Sequence, residues 1–214
     1  MHSSPPSPQR IVVVGSTGSG KSTLARRLAS LLDLVYWELD SLYWEPNWIS
    51  TSEEIFQARV AHVVGQERWV VDGNYSRLRD LIWPRADCIV WLDYSLPVVL
   101  ARLVRRTVRR VVTRESCCNG NHETLRRALS RDSVVLWALQ TYARRRRDYP
   151  QQLAAQEARG GTVIVHRTPA QTEAWIARLV TEQPRPTSRH AVTAVTRTGL
   201  TAAGEPITHH DGAR

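Results

Sequence analysis

Ile11-Val12-Val13-Val14-Gly15-Ser16-Thr17-Gly18-Ser19-Gly20-Lys21-Ser22-Thr23-Leu24 is the stretch that decides the fold. Its first four residues are β-branched with no polar break, the pattern of a parallel strand buried on both faces. Gly15 to Ser22 then fits G-x-x-x-x-G-K-[ST], and Leu24, Leu28 and Leu31/Leu32 follow at helical spacing. A strand, a glycine-rich turn and a helix in that order aim backbone N–H groups and a helix N-terminus at one point, which suits phosphate. Gly15, Ser16, Thr17, Gly18, Ser19 and Gly20 form the cradle. Lys21 can reach the β- and γ-phosphates, the Ser22 hydroxyl can ligate magnesium, and Thr23 completes the nucleotide-binding run. Lys21 is also the one lysine beside 28 arginines. A compact ammonium fits between phosphates inside a closed loop where a guanidinium fork does not. The expected ligand is a nucleoside triphosphate with Mg2+.

Outward from this stretch, strands and helices alternate. Val35 to Leu39 reads as a second strand, and Thr51-Ser52-Glu53-Glu54 carries a capping signature for a helix to about Val64. Trp69-Val70-Val71 is a third strand ending at Asp72-Gly73, and Cys88 to Leu92 a fourth ending at Asp93. Pro97 suits the first turn of a helix to about Arg110. Residues 114–121 read as a loop. A long helix follows from His122 to about Tyr149, with Leu125, Leu129, Leu136, Leu139 and Tyr142 at helical spacing. Thr162 to Val165 is a fifth strand and Ala170 to Thr181 a last helix. Five short strands alternating with helices predict an α/β fold, a parallel sheet covered on both faces.

The 214 residues fit one domain, set at 10–182, with disordered ends at 1–9 and 183–214. No run approaches the ~18 apolar residues of a membrane span, and the first nine residues lack the apolar core of a secretory signal. Three cysteines without paired spacing suit a reducing compartment, so the cytoplasm is the expected location. Charge is concentrated: 13 arginines against three acids lie between Arg102 and Arg147, while the rest of the chain is near neutral. That segment predicts an anion-binding lid over about 102–147. Its alternative is a surface for nucleic acid on an ATP-binding regulatory protein.

With a single lysine, the Asn-Lys-x-Asp motif that reads guanine cannot occur. Asp72, ending the third strand beside the phosphate loop, can orient magnesium-bound water, and Asp93 is its rival. Asp72 is preferred because Gly73 would permit a close approach by substrate. The loop, Asp72-Gly73 and the arginine-rich segment resemble the adenylate kinase branch of P-loop kinases. More closely, Leu39-Asp40-x-Leu42-x-Trp44-x-Pro46-x-Trp48 with Asp72-Gly73-Asn74-Tyr75 is similar to bacterial topology modulation proteins, also called adenylate kinase-related. The resemblance covers about Arg10 to Thr181. It implies a three-layer P-loop NTPase sandwich with strand order 2-3-1-4-5, an arginine-rich helical lid, and ATP as phosphoryl donor. It also implies that Arg102 and Arg106 act on the phosphates or adenine, that Arg144 to Arg147 supply further lid arginines, and that Arg167 edges the adenine. Where adenylate kinases place an acceptor-binding arginine, this chain has Ser76, followed by Arg77.

The acceptor is expected against Asp40, Trp44, Asn74, Tyr75 and Arg77. From Tyr36 to Trp48 there are three acids (Glu38, Asp40, Glu45), five aromatics and no base. Carboxylates repel a phosphate and accept hydrogen bonds from hydroxyls, so the stretch predicts a hydroxyl acceptor of little charge, with Asp40 holding or deprotonating it. Cys117, Cys118 and His122 could suggest zinc, but adjacent thiolates make a poor chelate. The sequence reads as an ATP- and Mg2+-dependent phosphotransferase acting on a nucleotide, a nucleoside or a hydroxylated metabolite.

Overall fold

The computed structural model of the protein describes residues 7–113, 115–122 and 134–182. Residues 1–6 and 183–214, read as disordered ends, and residues 114 and 123–133 of the lid lie outside the described residues. Gln9, assigned to the N-terminal end, is bonded on both sides. Its N–H donates to the Asp87 carboxylate at 3.1 Å, and its carbonyl accepts from the Trp69 N–H at 2.9 Å.

Strand β1 (Arg10–Gly15) leads through the glycine loop into α1 (Lys21–Leu32). Next come β2 (Val35–Glu38), the short helix α2 (Leu39–Tyr43) and a hairpin of β3 (Trp44–Glu45) and β4 (Ile49–Ser50). Helix α3 (Glu53–Val64), β5 (Trp69–Asp72), α4 (Arg79–Ile82), β6 (Cys88–Leu92) and α5 (Leu96–Thr113) follow. A second hairpin, β7 (Ser116–Cys117) and β8 (Asn121–His122), precedes α6 (Val134–Glu157), β9 (Thr162–His166) and α7 (Pro169–Glu182).

The main sheet is parallel throughout, in the order β2-β5-β1-β6-β9. Setting the two hairpins aside, this is the expected 2-3-1-4-5. Alternation along β1 divides the core into two layers. Ile11 and Val13 pack with Leu24 and Leu28 of α1, Val99 of α5 and Ile176 of α7. Val12 and Val14 pack with Phe56 and Val60 of α3, Ile82 of α4, and Tyr149 and Leu153 of α6. Both faces are buried, which is why the strand reads as an unbroken apolar run. The Ser52 hydroxyl caps α3, accepting from the Ile55 N–H at 3.3 Å.

Three local readings differ. The second strand stops at Glu38 rather than Leu39, and Asp40 lies in α2, because Leu39 turns inward to burial behind β5. Residues 116–122 form a hairpin rather than an irregular loop, turning through left-handed Cys118 and Asn119. Helix α6 continues through Pro150 to Glu157 instead of ending near Tyr149. A proline in a helix interior costs ~3 kcal/mol, and burial of Leu153 offsets it on the far side of the break. No helix among the described residues is long and apolar enough to cross a membrane.

Candidate active site

The parallel strands end together at one edge, where α/β sheets bind ligands. The glycine loop rises from the central strand. At Gly18 (φ +90°) a β-carbon would stand 2.8 Å from the Val99 carbonyl, so the loop lies tight against α5. Asn74 clamps the loop at its root. The Gly15 N–H donates to Asn74 Oδ1 at 3.1 Å, Asn74 Nδ2 donates to the Gly15 carbonyl at 2.6 Å, and the Tyr149 hydroxyl donates to Asn74 Oδ1 at 3.1 Å. Lys21 Nζ reaches across the loop to the Ser16 carbonyl at 3.2 Å. Burial pushes Lys21 down to about 8; Asp72 opposes the shift, and Arg145 and Arg106 add to it. Arg102 donates to the Ser19 carbonyl at 3.1 Å, its guanidinium 5.3 Å from the Tyr94 ring.

Ser22 and Asp72 meet. The Ser22 hydroxyl donates to Asp72 Oδ2 at 2.6 Å and the Tyr36 hydroxyl to Asp72 Oδ1 at 3.0 Å. Asp72 stands in register with Glu38 of β2, so two carboxylates sit side by side. Burial, reinforced by Glu38, raises Asp72 to about 7. Asp93 is otherwise engaged, paired with Arg146 at 2.9 Å. Gly73 has a different reason from the one read in the sequence. At φ +146° a β-carbon would stand 2.9 Å from the Leu39 side chain, so Leu39, not a substrate, makes the close approach. The Ser22 hydroxyl and the buried Asp72 carboxylate are hard oxygen donors, which fit Mg2+.

Beyond Glu38, Tyr75 donates its hydroxyl to Asp40 Oδ1 at 2.7 Å. Ligand atoms of Glu38, Asp40 and Cys118 lie within 4.8 Å of one another, so Cys118 gathers with these carboxylates. Trp44 packs edge-on against Tyr43 and Trp48. Arg77 lines the cleft, but its charge is met by Glu53 at 3.0 Å and its guanidinium packs 4.9 Å from the Tyr43 ring. The β7–β8 hairpin docks onto this region. Asn119 Nδ2 donates to the Ser41 and Trp44 carbonyls at 2.9 and 2.6 Å. Asn121 accepts from the Trp48 N–H at 2.8 Å and donates to the Glu45 carbonyl at 3.0 Å.

Lys21, Ser22, Asp72, Asp40, Tyr75 and Trp44 line a cleft of about 1750 Å³, above the ~300–1,000 Å³ of ordinary single-ligand pockets. Arg102, Arg105, Arg106, Arg109 and Arg110 of α5 line it, so this part of the basic segment faces inward. The run 144–147 sorts itself. Arg144 and Arg145 line the cleft, Arg146 pairs with Asp93, and Arg147 pairs with Asp148. Arg167 is exposed and does not line the cleft; its N–H donates to Gln171 at the start of α7, where Pro169, Thr172 and Glu173 line the cleft instead. Sequence reading missed Tyr36, Tyr149 and the two asparagines of the lid hairpin. Glu38 carried a signal, its two-residue spacing from Asp40 at a strand end.

Sheet order and glycine loop give the chain the α/β fold of the P-loop kinases. Among solved structures, shikimate kinase from Bacteroides thetaiotaomicron matches with a TM-score of 0.50 at 17% identity, over 81% of this chain and 97% of that one. Shikimate kinase from Acinetobacter baumannii, solved with shikimate, matches with a TM-score of 0.50 at 15% identity, over 81% and 91%. At these identities the likeness is one of fold. No family model and no curated protein matches the sequence.

Proposed function

We propose that the protein is an ATP- and Mg2+-dependent kinase that moves the γ-phosphoryl of ATP to a hydroxyl of a small acceptor. The observation that carries this reading is the Ser22–Asp72 hydrogen bond beside Lys21, in a cleft that also holds Asp40. In this reading residues 15–23 cradle the phosphates. Ser22 would hold Mg2+ directly and Asp72 through its water; the ion would neutralise charge on the β- and γ-oxygens. Lys21, Arg102 and Arg106 add fixed positive charge where negative charge spreads in the transition state. Asp40 orients the acceptor hydroxyl and accepts its proton. The acceptor oxygen bonds to the γ-phosphorus as the bond to the β–γ bridging oxygen breaks, and ADP leaves. Trp44, Asn74 and Tyr75 form the acceptor's surroundings, and Arg77 braces the aromatics. The reading places the protein in the cytoplasm. An outward-facing surface for nucleic acid is less favoured, because the α5 arginines line the cleft.

The test is acceptor-dependent ADP release, together with Mg-ATP-dependent thermal stabilisation. At 100 times its dissociation constant a ligand adds ~2.7 kcal/mol of stability. Lys21→Ala should keep the fold and lose that shift. A wild-type protein that shows no shift with Mg-ATP overturns the reading.

A further inference from the structure

Two guanidinium groups in the cleft have no carboxylate partner among the described residues. Arg145 is only 9% exposed, and its Nη1 has no hydrogen-bond partner among the described residues. Arg79, at the start of α4, packs its guanidinium 5.1 Å from the Trp83 ring and 5.9 Å from the Tyr149 ring. No carboxylate pairs with Arg79 among the described residues. Both arginines line the cleft, and both act on Tyr149. A guanidinium drawn out of water without a counter-charge is destabilised, and an arriving anion recovers that loss. Burial accordingly lowers Arg145 from the ordinary arginine value.

The position of this pair distinguishes it from the ATP side. Arg102 lies on α5, tied to the phosphate loop through Ser19. Arg79 follows the carboxyl end of β5 on the stretch that also carries Tyr75, the partner of Asp40. Asn74 and Tyr75 link the two ends: Tyr75 bonds Asp40, while Asn74 bonds Tyr149, beside Arg145 and Arg79. Asp40, Lys21 and Arg145 line the same cleft. The stretch 36–48 supplies acids only, and for that reason the sequence suggests an uncharged acceptor; the cations arrive from α4 and α6.

We propose that Arg79 and Arg145 form an anion subsite for the acceptor, which is therefore a hydroxylated molecule carrying a carboxylate or phosphate group, its hydroxyl at Asp40 and its anion against the two guanidiniums. This rests on the phosphotransfer reading and adds the acceptor's charge to it. A planar guanidinium fork matches either anion in bidentate geometry.

The experiment separates the subsite from the kinase reading. With Mg-ADP and beryllium fluoride filling the donor and phosphoryl positions, acetate and inorganic phosphate are titrated while melting is followed. The wild-type protein should gain melting temperature with at least one of the two, and which one identifies the anion. Arg79→Gln and Arg145→Gln should each lose that gain, while Arg79→Gln keeps the shift caused by the nucleotide complex itself. No gain in the wild type, or an equal gain in both variants, overturns the proposal. Turnover provides a second measurement with matched acceptors: gluconate against glucitol, glucose 6-phosphate against glucose, AMP against adenosine. The charged member of a pair that is turned over should show at least tenfold higher kcat/KM, and Arg79→Gln should raise its KM without raising that of ATP. Equal turnover of the neutral member overturns the subsite and leaves the kinase intact. An anion-dependent melting gain without any acceptor-dependent ADP release sustains the subsite and overturns the kinase.

Discussion

At the scale of single residues, Asp72 is a carboxyl whose protonation the fold itself resists settling. Held at about 7, well above the ordinary 3.8, it binds its proton more tightly in the folded protein than in the unfolded chain. The cost of burying its anion is therefore present in full above about pH 7 and is relieved as pH falls from about 7 towards about 4. Ligand-free wild-type protein should gain stability relative to Asp72→Asn as pH is lowered from about 8 to about 5. Paired melting curves test this, and a difference independent of pH would show that the anion is buried at no cost. Lys21, Ser22 and the glycines were legible because a phosphate loop is a contiguous motif whose backbone geometry lies within eight residues. The roles of Tyr36 and Tyr149 were not, and Arg145 could not be told from its neighbours in the run 144–147, since these residues act through Asp72, Asn74 and the cleft, partners far away in sequence. No local pattern marks a tyrosine that will bond an asparagine 75 positions earlier.

Among the elements, those with a strong period declared themselves and those held by tertiary contacts did not. The inner strands β1, β5 and β6 read clearly, because strands buried on both faces are continuous runs of large apolar residues, while the part-exposed edge strands β2 and β9 read from short β-branched and aromatic runs. The hairpins β3–β4 and β7–β8 have two residues per strand, too short for any alternation to register. They are held by each other, through Asn119 and Asn121. Asn121 is buried, so Asn121→Ala strands the Trp48 N–H and the Glu45 carbonyl and should cost ~1–3 kcal/mol. Because that bond joins the lid to the acceptor hairpin, the variant should raise the KM of the acceptor more than that of ATP. Equal rises would make Asn121 a purely structural residue. Helix α6 overran its expected end because Leu153 and Gln156 are buried beyond Pro150, with Gln156 Nε2 donating to the Ala86 carbonyl at 3.2 Å. Leu153→Ala should destabilise by ~2–5 kcal/mol in denaturant titration, as a buried leucine in a packed layer does. A change under about 1 kcal/mol would show that the helix end contributes little to the core.

At the scale of the molecule, seven of the described arginines between Arg102 and Arg147 line the cleft. Total charge and its concentration between Arg102 and Arg147 were plain in the sequence, but its direction was not, since a run of arginines does not say which helix face meets the cleft. Like charges gathered in one cleft repel one another, and salt screens that repulsion. Ligand-free protein should therefore melt at a higher temperature in ~0.5 M than in ~0.05 M KCl, while Mg-ATP binds more weakly in the higher salt. Melting curves and a nucleotide titration at both concentrations check the pair; a melting temperature that falls with salt would mean the arginines are already neutralised. In the proposed kinase reading, the β7–β8 hairpin, fastened to the chain around Ser41 to Trp48 by two asparagine side chains, acts as a lid over the acceptor and also imposes a timetable. An acceptor lying beneath that seal must enter before it forms, and the phosphorylated product must wait until it breaks. Chemistry in such an enclosure runs ahead of departure, so each enzyme molecule should release its first ADP in a rapid burst and then settle to a slower steady rate. Loosening the seal should speed that steady rate and shrink the burst. Rapid-quench measurements on the wild type and Asn121→Ala would reveal it, and linear product formation from the first turnover in both would show that opening sets no pace.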